Sequence, residues 1–266
     1  MTARLDQVLA ARGLARSRTH AQTLIAQGVV SVDGVAVVKA STPVGDDTNV
    51  EVAASDHYVS RAAHKLVAAL DAFAVPVAGR VALDLGASTG GFTQVLRERG
   101  ARPVIAVDVG HGQLADRIAA DPEVHAVEGF NVRYMTPESL REAGGVDAAP
   151  AVITGDLSFI SLTYVLPAVR AVAAPEADLI LLIKPQFEAG RTAVKGGLVT
   201  DPAVRCEAVA DVLWAAWDQQ LTVRGLIASP VVGTHGNREY LVHLRPQAGP
   251  DPSEWMRTVD ELAGIS

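Results

Sequence analysis

The sequence predicts an α/β protein in which a doubly wound sheet fills the larger C-terminal part and a small α+β module precedes it. Two observations carry this. From Ser60 onward, short apolar runs alternate with amphipathic stretches at the spacing of strands and helices in such sheets. Before that, two short helical periods are followed by an alternating strand that runs into an Asp-Gly turn, the pattern of a compact module ending near Val52.

Taking the elements in order, Leu5, Val8 and Leu9 recur at helical spacing and Gly13 is a natural stop. Ser17 can cap a second helix, with Ala21, Leu24 and Ile25 on its apolar face and Gly28 as terminator. Val29 to Val35 alternates as a strand into Asp33-Gly34, a hairpin signal. The expected domains are residues 1–53, a linker at 54–59 and a sheet domain over 60–266. A helix is expected through Ala62, Leu66, Val67 and Leu70. Strands are expected at Val81–Leu85, Val104–Val107, Val124–Val127, Val152–Thr154, Leu179–Ile183, Val223–Ile227 and Tyr240–Leu244. Leu162–Val172 and Ala208–Trp217 read as amphipathic segments between strands, and the tail beyond Gln247 as a terminal helix.

The 266 residues, 49% hydrophobic and 20% charged, are enough to bury a proper core. No apolar run approaches the ~20 residues of a membrane span. Met1-Thr2-Ala3-Arg4-Leu5-Asp6 does not read as a signal peptide, so the expectation is a cytoplasmic protein, monomeric when free. Cys206 stands alone, which excludes disulfides within the chain and multi-cysteine zinc sites. His111, His125 and the other histidines lack ligand spacing, so no metal is expected. A net charge of −7 argues against indiscriminate binding of polyanions. Residues 1–20, however, carry Arg4, Arg12, Arg16 and Arg18 against Asp6, a local positive excess suited to one structured polyanion.

Val81 to Leu96, "VALDLGASTGGFTQVL", contains two motifs. Gly86-Ala87-Ser88-Thr89-Gly90 fits the nucleophile elbow G-x-S-x-G, with Asp156 or Asp178 and then His235 or His243 following in hydrolase order. It also fits a strand, glycine loop and helix that binds a nucleoside. Asp84 enters the loop, and Asp108 ends the next strand about 18 residues after Gly90, close to the spacing of a ribose-binding carboxylate. No His-Gly-Gly-Gly oxyanion segment precedes the loop, and the loop follows the first strand of the sheet rather than a later one. Ser88 stands where a dinucleotide fingerprint needs glycine, which disfavours a dehydrogenase. The nucleoside reading is therefore preferred. Asp156 and Lys184 each follow an apolar run, where ligands of such sheets bind. Lys65 lies on the helix before the first strand of the sheet, and Glu239 begins the last strand.

These motifs resemble known families. "RLDQVLAARGLARSRTHAQTLIAQGVVSVDGVAV" looks like the S-four-type RNA-binding domain, which implies RNA contacts by Arg4, Arg16, Arg18 and Lys39. "LDLGASTGGFT" resembles the S-adenosylmethionine loop of class I Rossmann-like methyltransferases. "YVSRAAHKL", "GDLSFISL", "LLIKPQFE" and "GNREYLVHL" look like the Lys-Asp-Lys-Glu segments of FtsJ-like ribose 2′-O-methyltransferases.

Over residues 4–245 the chain resembles the TlyA family of ribosomal RNA 2′-O-methyltransferases, which also carries a haemolysin label. The resemblance implies a catalytic tetrad of Lys65, Asp156, Lys184 and Glu239, with Lys184 at the target hydroxyl, either as a neutral base or as a cation stabilising the alkoxide, and cytidine as the nucleotide. It implies donor contacts from Asp84, Gly86, Ala87, Ser88, Thr89, Gly90, Gly91, Phe92, Asp108 and Asn131. Ribosomal RNA of the small subunit, the large subunit or both, free or in assembled subunits, is the implied partner. The competing readings are a non-catalytic RNA-binding assembly factor, a cytolysin and a serine hydrolase using Ser88.

Overall fold

The computed structural model describes residues 2–15, 17–26, 28–45, 47–52, 57–190, 194, 196–233 and 236–265. The chain divides into two compact units, Met1–Arg61 and Ala62–Ser266. Of the expected linker, residues 54–56 lie outside the described residues.

The smaller unit begins with β1 (Thr2–Arg4), α1 (Leu5–Ala11) and α2 (Arg18–Ala26). Ser17 Oγ accepts the His20 amide at 3.1 Å, satisfying one of the donors that a helix start leaves free. The expected hairpin forms, with β2 (Val30–Val32) and β3 (Val35–Ala36) pairing antiparallel on either side of Asp33-Gly34, both with positive φ. Two strands that the sequence pattern does not announce follow, β4 (Pro43–Gly45) and β5 (Val50–Val52). β4 pairs antiparallel with β1, and β5 with β2. Leu5, Leu9, Ala21, Ile25, Val30 and Val44 form a core belonging to this unit.

The larger unit runs α3 (Ala63–Phe73), β6 (Ala82–Leu85), α4 (Gly91–Glu98), β7 (Val104–Val107), α5 (Asp116–Ala119) and β8 (Val124–Val127). It continues with α6 (Pro137–Gly144), β9 (Val152–Gly155), α7 (Leu166–Val172), β10 (Asp178–Ile183) and α8 (Pro185–Glu188). Last come α9 (Pro202–Asp218), β11 (Leu221–Ala228), β12 (Tyr240–Pro246) and α10 (Met256–Ala263). The expected segment 162–172 is broken, because Leu162–Tyr164 forms a tight 3-10 turn before α7 starts at the Leu166-Pro167 step.

Among the described residues, seven strands make one sheet in the order β11-β12-β10-β9-β6-β7-β8. β10, β9, β6, β7 and β8 are mutually parallel, and β12 runs antiparallel to both neighbours. The order reverses at the β6/β9 boundary, which creates a crevice at the carboxyl ends of those strands. Strands covered on both faces explain the continuous apolar runs: every residue of β6, β7, β9 and β10 is buried.

Candidate active site

At the end of β6 the backbone turns through left-handed conformations at Gly86 (φ 76°), Ser88 (φ 48°) and Gly90 (φ 94°). Gly86 is required by a close approach. A Cβ there would lie 3.0 Å from Leu157 Cδ2 and 3.4 Å from the Asp156 carbonyl oxygen. The glycine therefore lets the chain leaving β9 pass beside the loop.

Asp108, at the end of β7, accepts the Ser88 amide on Oδ2 at 2.8 Å and the Gly110 amide on Oδ1 at 2.7 Å. A carboxylate has lone pairs beyond those two bonds for ribose hydroxyls. Ser88 and Thr89 are exposed, and Ser88 Oγ lies 3.4 Å from Gln113 Oε1. Gln113 carries no motif that would single it out in the sequence. Asn131 uses Oδ1 to cap the 3-10 turn at Val132–Tyr134, and the residue before it, Phe130, donates its amide to the Asp108 carbonyl.

Two of the expected donor residues are buried. Asp84 is 1% exposed, and both its oxygens are engaged, by Thr93 Oγ1 at 2.7 Å and Thr154 Oγ1 at 3.1 Å. Phe92 is buried at 3%. Burial pushes the Asp84 carboxyl up to about 6, the Asp156 charge adds to the rise, and the two threonine hydroxyls oppose it.

The four residues of the expected tetrad come together from four elements. Asp156 leaves β9 and Lys184 leaves β10, at the carboxyl ends of neighbouring parallel strands. Glu239 precedes β12. Because β12 is antiparallel, its first residue Tyr240 pairs with Ile183, so Glu239 is brought beside Lys184. Lys65 comes from the first turn of α3.

Lys65 Nζ donates to Glu239 Oε2 at 2.7 Å and to Asp156 Oδ2 at 3.2 Å. Lys184 Nζ lies 2.6 Å from Asp156 Oδ1 as an ion pair and donates to Ser158 Oγ at 2.9 Å. Burial alone would raise the Asp156 carboxyl, but the charges of Lys65 and Lys184 outweigh it and hold the group below its ordinary value. Two ammonium groups thus face two carboxylates, which is how charges survive in a buried place.

Three neighbours complete the cluster that sequence reasoning missed. Gly233 leaves room for Glu239, since a Cβ there would fall 2.2 Å from Glu239 Oε1. Glu188 joins the segment after β10 to the one after β9 by accepting from Ser161 Oγ at 2.5 Å and from the Leu162 amide at 3.0 Å. Phe159 holds φ 65° and is 91% exposed, with its ring 5.2 Å from that of Phe187. Lys184 Nζ is 5.9 Å from the Phe187 ring centre. Only an exposed apolar side chain, or a backbone out of its usual region, marks such a position, and neither can be seen in sequence.

The hydrolase arrangement does not assemble. His243 Nε2 binds Asp178 Oδ1 at 2.8 Å, together with Arg80 and Arg245, at the start of β10. Asp178 is level with Ala82, so this cluster is about 10 Å or more down the sheet from the Ser88 loop. Asp156 is taken by the two lysines, and His235 lies outside the described residues.

In the smaller unit, Arg4 and Arg18 bind Asp6, Lys39 is exposed in a turn, and Arg16 lies outside the described residues. Among the described residues, no group of three or more His, Cys, Asp or Glu side chains is arranged to hold a metal. No described helix is long and apolar enough to cross a membrane.

Comparison with known proteins gives two family matches: an FtsJ-like methyltransferase over residues 58–246 and an S4 domain over residues 3–50. The Mycobacterium tuberculosis 16S/23S rRNA (cytidine-2′-O)-methyltransferase TlyA is 49% identical over 248 residues, 92% of this chain and 90% of that protein. Hemolysin A of Brachyspira hyodysenteriae is 38% identical over 242 residues, covering 91% of this chain and 99% of that one. A solved structure from Streptococcus thermophilus, described as that of a hemolysin, superposes with a TM-score of 0.75 at 34% identity, over 99% of this chain and 96% of that one.

Proposed function

Because the chain belongs to the FtsJ-like methyltransferase family, we propose that it methylates a ribose 2′-hydroxyl of ribosomal RNA, at cytidine, with S-adenosylmethionine as donor. The observation that carries this reading is the Lys65-Asp156-Lys184-Glu239 cluster, set at the carboxyl ends of β9 and β10 beside the Gly86 turn.

The residues present fit the donor. The left-handed glycines at Gly86 and Gly90 keep the loop tight, and Asp108 stands on the adjoining strand end for the ribose. Ser88 and Thr89 offer hydroxyls to the methionyl end. When bound, S-adenosylmethionine supplies an electrophilic sulfonium methyl group.

Against such an electrophile the protein's work is chiefly to orient a weak nucleophile and manage its proton. Lys184 is assigned to the 2′-oxygen. The cluster holds two positive and two negative groups, and a neutral Lys184 would leave one buried carboxylate without a counter-charge. Lys184 therefore acts as an ammonium that stabilises negative charge developing on the oxygen, while the hydroxyl proton passes to solvent water as the new O–C bond forms. Asp156 fixes its position, while Glu239 and Asp156 together hold Lys65. The exposed ring of Phe159 offers a stacking face for the target base. The smaller unit, matching an S4 domain, is assigned to RNA recognition through Arg4, Arg16, Arg18 and Lys39. The place of action is the cytoplasm, and the free protein is a monomer.

The test incubates the protein and labelled S-adenosylmethionine with separated small and large ribosomal subunits. Label is expected in RNA. Lys184→Ala should lower transfer by about 10²- to 10³-fold, while Ser88→Ala weakens donor binding without abolishing transfer. Absence of label from both subunits overturns the enzymatic reading. Label attached to Ser88 by a fluorophosphonate would restore the hydrolase reading.

A further inference from the structure

Asp6 is an anomaly on a surface assigned to a polyanion. It is a carboxylate in the first turn of α1, 0% exposed, lying between two arginines whose side chains are 44% and 52% exposed. Oδ1 accepts Arg4 Nε at 3.0 Å. Oδ2 accepts Arg18 Nε at 2.9 Å, Gln22 Nε2 at 2.9 Å and Arg4 Nη2 at 3.3 Å. Four N–H groups converge on a carboxylate that offers about four lone-pair sites, so its acceptor capacity is filled from within. The Arg4 hydrogen bond leads in holding the Asp6 carboxyl well below the usual carboxylate range, against the opposing effect of burial.

The bonds use particular edges of the guanidinium groups. A guanidinium has five N–H donors in a rigid plane. Asp6 takes two from Arg4 and one from Arg18, in each case including the Nε edge nearest the chain. Arg4 Nη1 and both Nη groups of Arg18 are the ones left for a partner. The turn that carries Lys39 is tied to the same end of α1, by Asp6 N to the Ala40 carbonyl at 3.2 Å and Leu5 N to the Thr42 carbonyl at 2.9 Å. Arg12 is used differently, with Nη1 and Nη2 donating to the Thr48 and Gly45 carbonyls.

We propose that Asp6 is a positioning residue for RNA recognition, holding Arg4 and Arg18 by their inner edges so that their outer edges form a preset clamp for backbone phosphates. This rests on the assignment of the smaller unit to RNA. An arginine free to sample rotamers loses that freedom on binding, at a cost that a preset side chain has already met in folding. Arginine suits the role because its planar fork engages phosphate with two parallel bonds.

Electrostatics and positioning predict opposite signs here. Asp6→Asn removes a negative charge from the surface, so charge alone would tighten the binding of RNA. Positioning predicts that it loosens.

The experiment measures the affinity of the full-length protein for purified ribosomal RNA across a series of KCl concentrations. Asp6→Asn should weaken binding by roughly five- to tenfold. It should also flatten the salt dependence by about one phosphate contact. Added to Arg4→Ala plus Arg18→Ala, it should have no further effect. Arg4→Lys plus Arg18→Lys keeps the charge but loses the fork, and should weaken binding in the same way.

Thermal unfolding of each variant, with affinity read well below the transition, separates positioning from loss of the domain. If Asp6→Asn does not fold, the two lysine substitutions carry the test. Unchanged or tighter binding by Asp6→Asn, or wild-type binding by the lysine pair, overturns the positioning role. Unchanged binding by Arg4→Ala plus Arg18→Ala instead overturns the RNA assignment itself, and the proposal with it.

Discussion

Asp84 is a carboxylate the fold keeps entirely from water, with two threonine hydroxyls in place of a cation. Its folded value of about 6 lies above the ordinary 3.8, so the folded chain holds this proton more tightly than the unfolded chain. The resulting stability is complete below about pH 4 and is lost as pH rises through 6. The shift of about two units is worth ~3 kcal/mol. Asp84→Asn lacks this dependence. Its stability relative to the wild type should therefore rise by up to about 3 kcal/mol between pH 4 and pH 7, read from urea unfolding at both values. A difference that stays flat with pH would show that the charge is not buried at this cost. Asp84 and the tetrad illustrate what sequence displays at this scale. A charged residue just after an apolar run, such as Asp156 or Lys184, declares itself. Whether an acid faces ligand or core does not, because that depends on hydroxyls nine and seventy residues away. Gly233 and Glu188 were illegible for the same reason, since their importance is a distance to another segment.

The helix that carries Lys65 is tightly packed at its far end. Phe73, the last residue of α3, packs over Gly225 of β11, where a Cβ would come within 2.5 Å of the ring. The same ring stacks on His243 of β12 at 5.5 Å. Eight residues separate Phe73 from Lys65, about 12 Å of helix, so a displacement at the base moves the lysine at the top. Gly225→Ala should lower transfer by about 10- to 100-fold and destabilise the fold by about 1–3 kcal/mol, with little change in donor affinity. Adding Phe73→Leu, which withdraws the ring, should restore most of the rate. A rate unchanged in Gly225→Ala would show that α3 is held elsewhere. Strand ends in this domain were readable to within two residues, because strands covered on both faces are apolar throughout. Strand direction was not. The antiparallel course of β12 brings Glu239 to Lys184, yet Tyr240–Leu244 reads the same in either direction. The break at Leu162–Tyr164 was also hidden, since the apolar spacing continues through it.

Among the described residues, the smaller unit and the sheet domain each bury apolar side chains of their own. Their separate patterns in the sequence are what made a two-domain reading possible. The overall charge of −7 concealed the division, because the excess of positive groups is confined to the first residues. If one unit recognises RNA and the other performs transfer, substitutions in each should disturb different kinetic constants. Arg4→Ala plus Arg18→Ala removes interactions made equally before and during reaction, which raises KM for ribosomal RNA and leaves the rate at saturation nearly unchanged. Lys184→Ala removes an interaction that matters as charge develops on the oxygen, so it lowers kcat with little effect on KM. Without the two guanidinium groups to engage phosphate, KM should rise by about 10- to 100-fold at physiological salt and by less at higher salt, where both proteins bind weakly. The measurement is steady-state methylation of the modified subunit at two KCl concentrations. A fall in kcat from the arginine substitutions, with KM unmoved, would mean that the smaller unit helps to set the reacting geometry, and the division of labour would then be wrong.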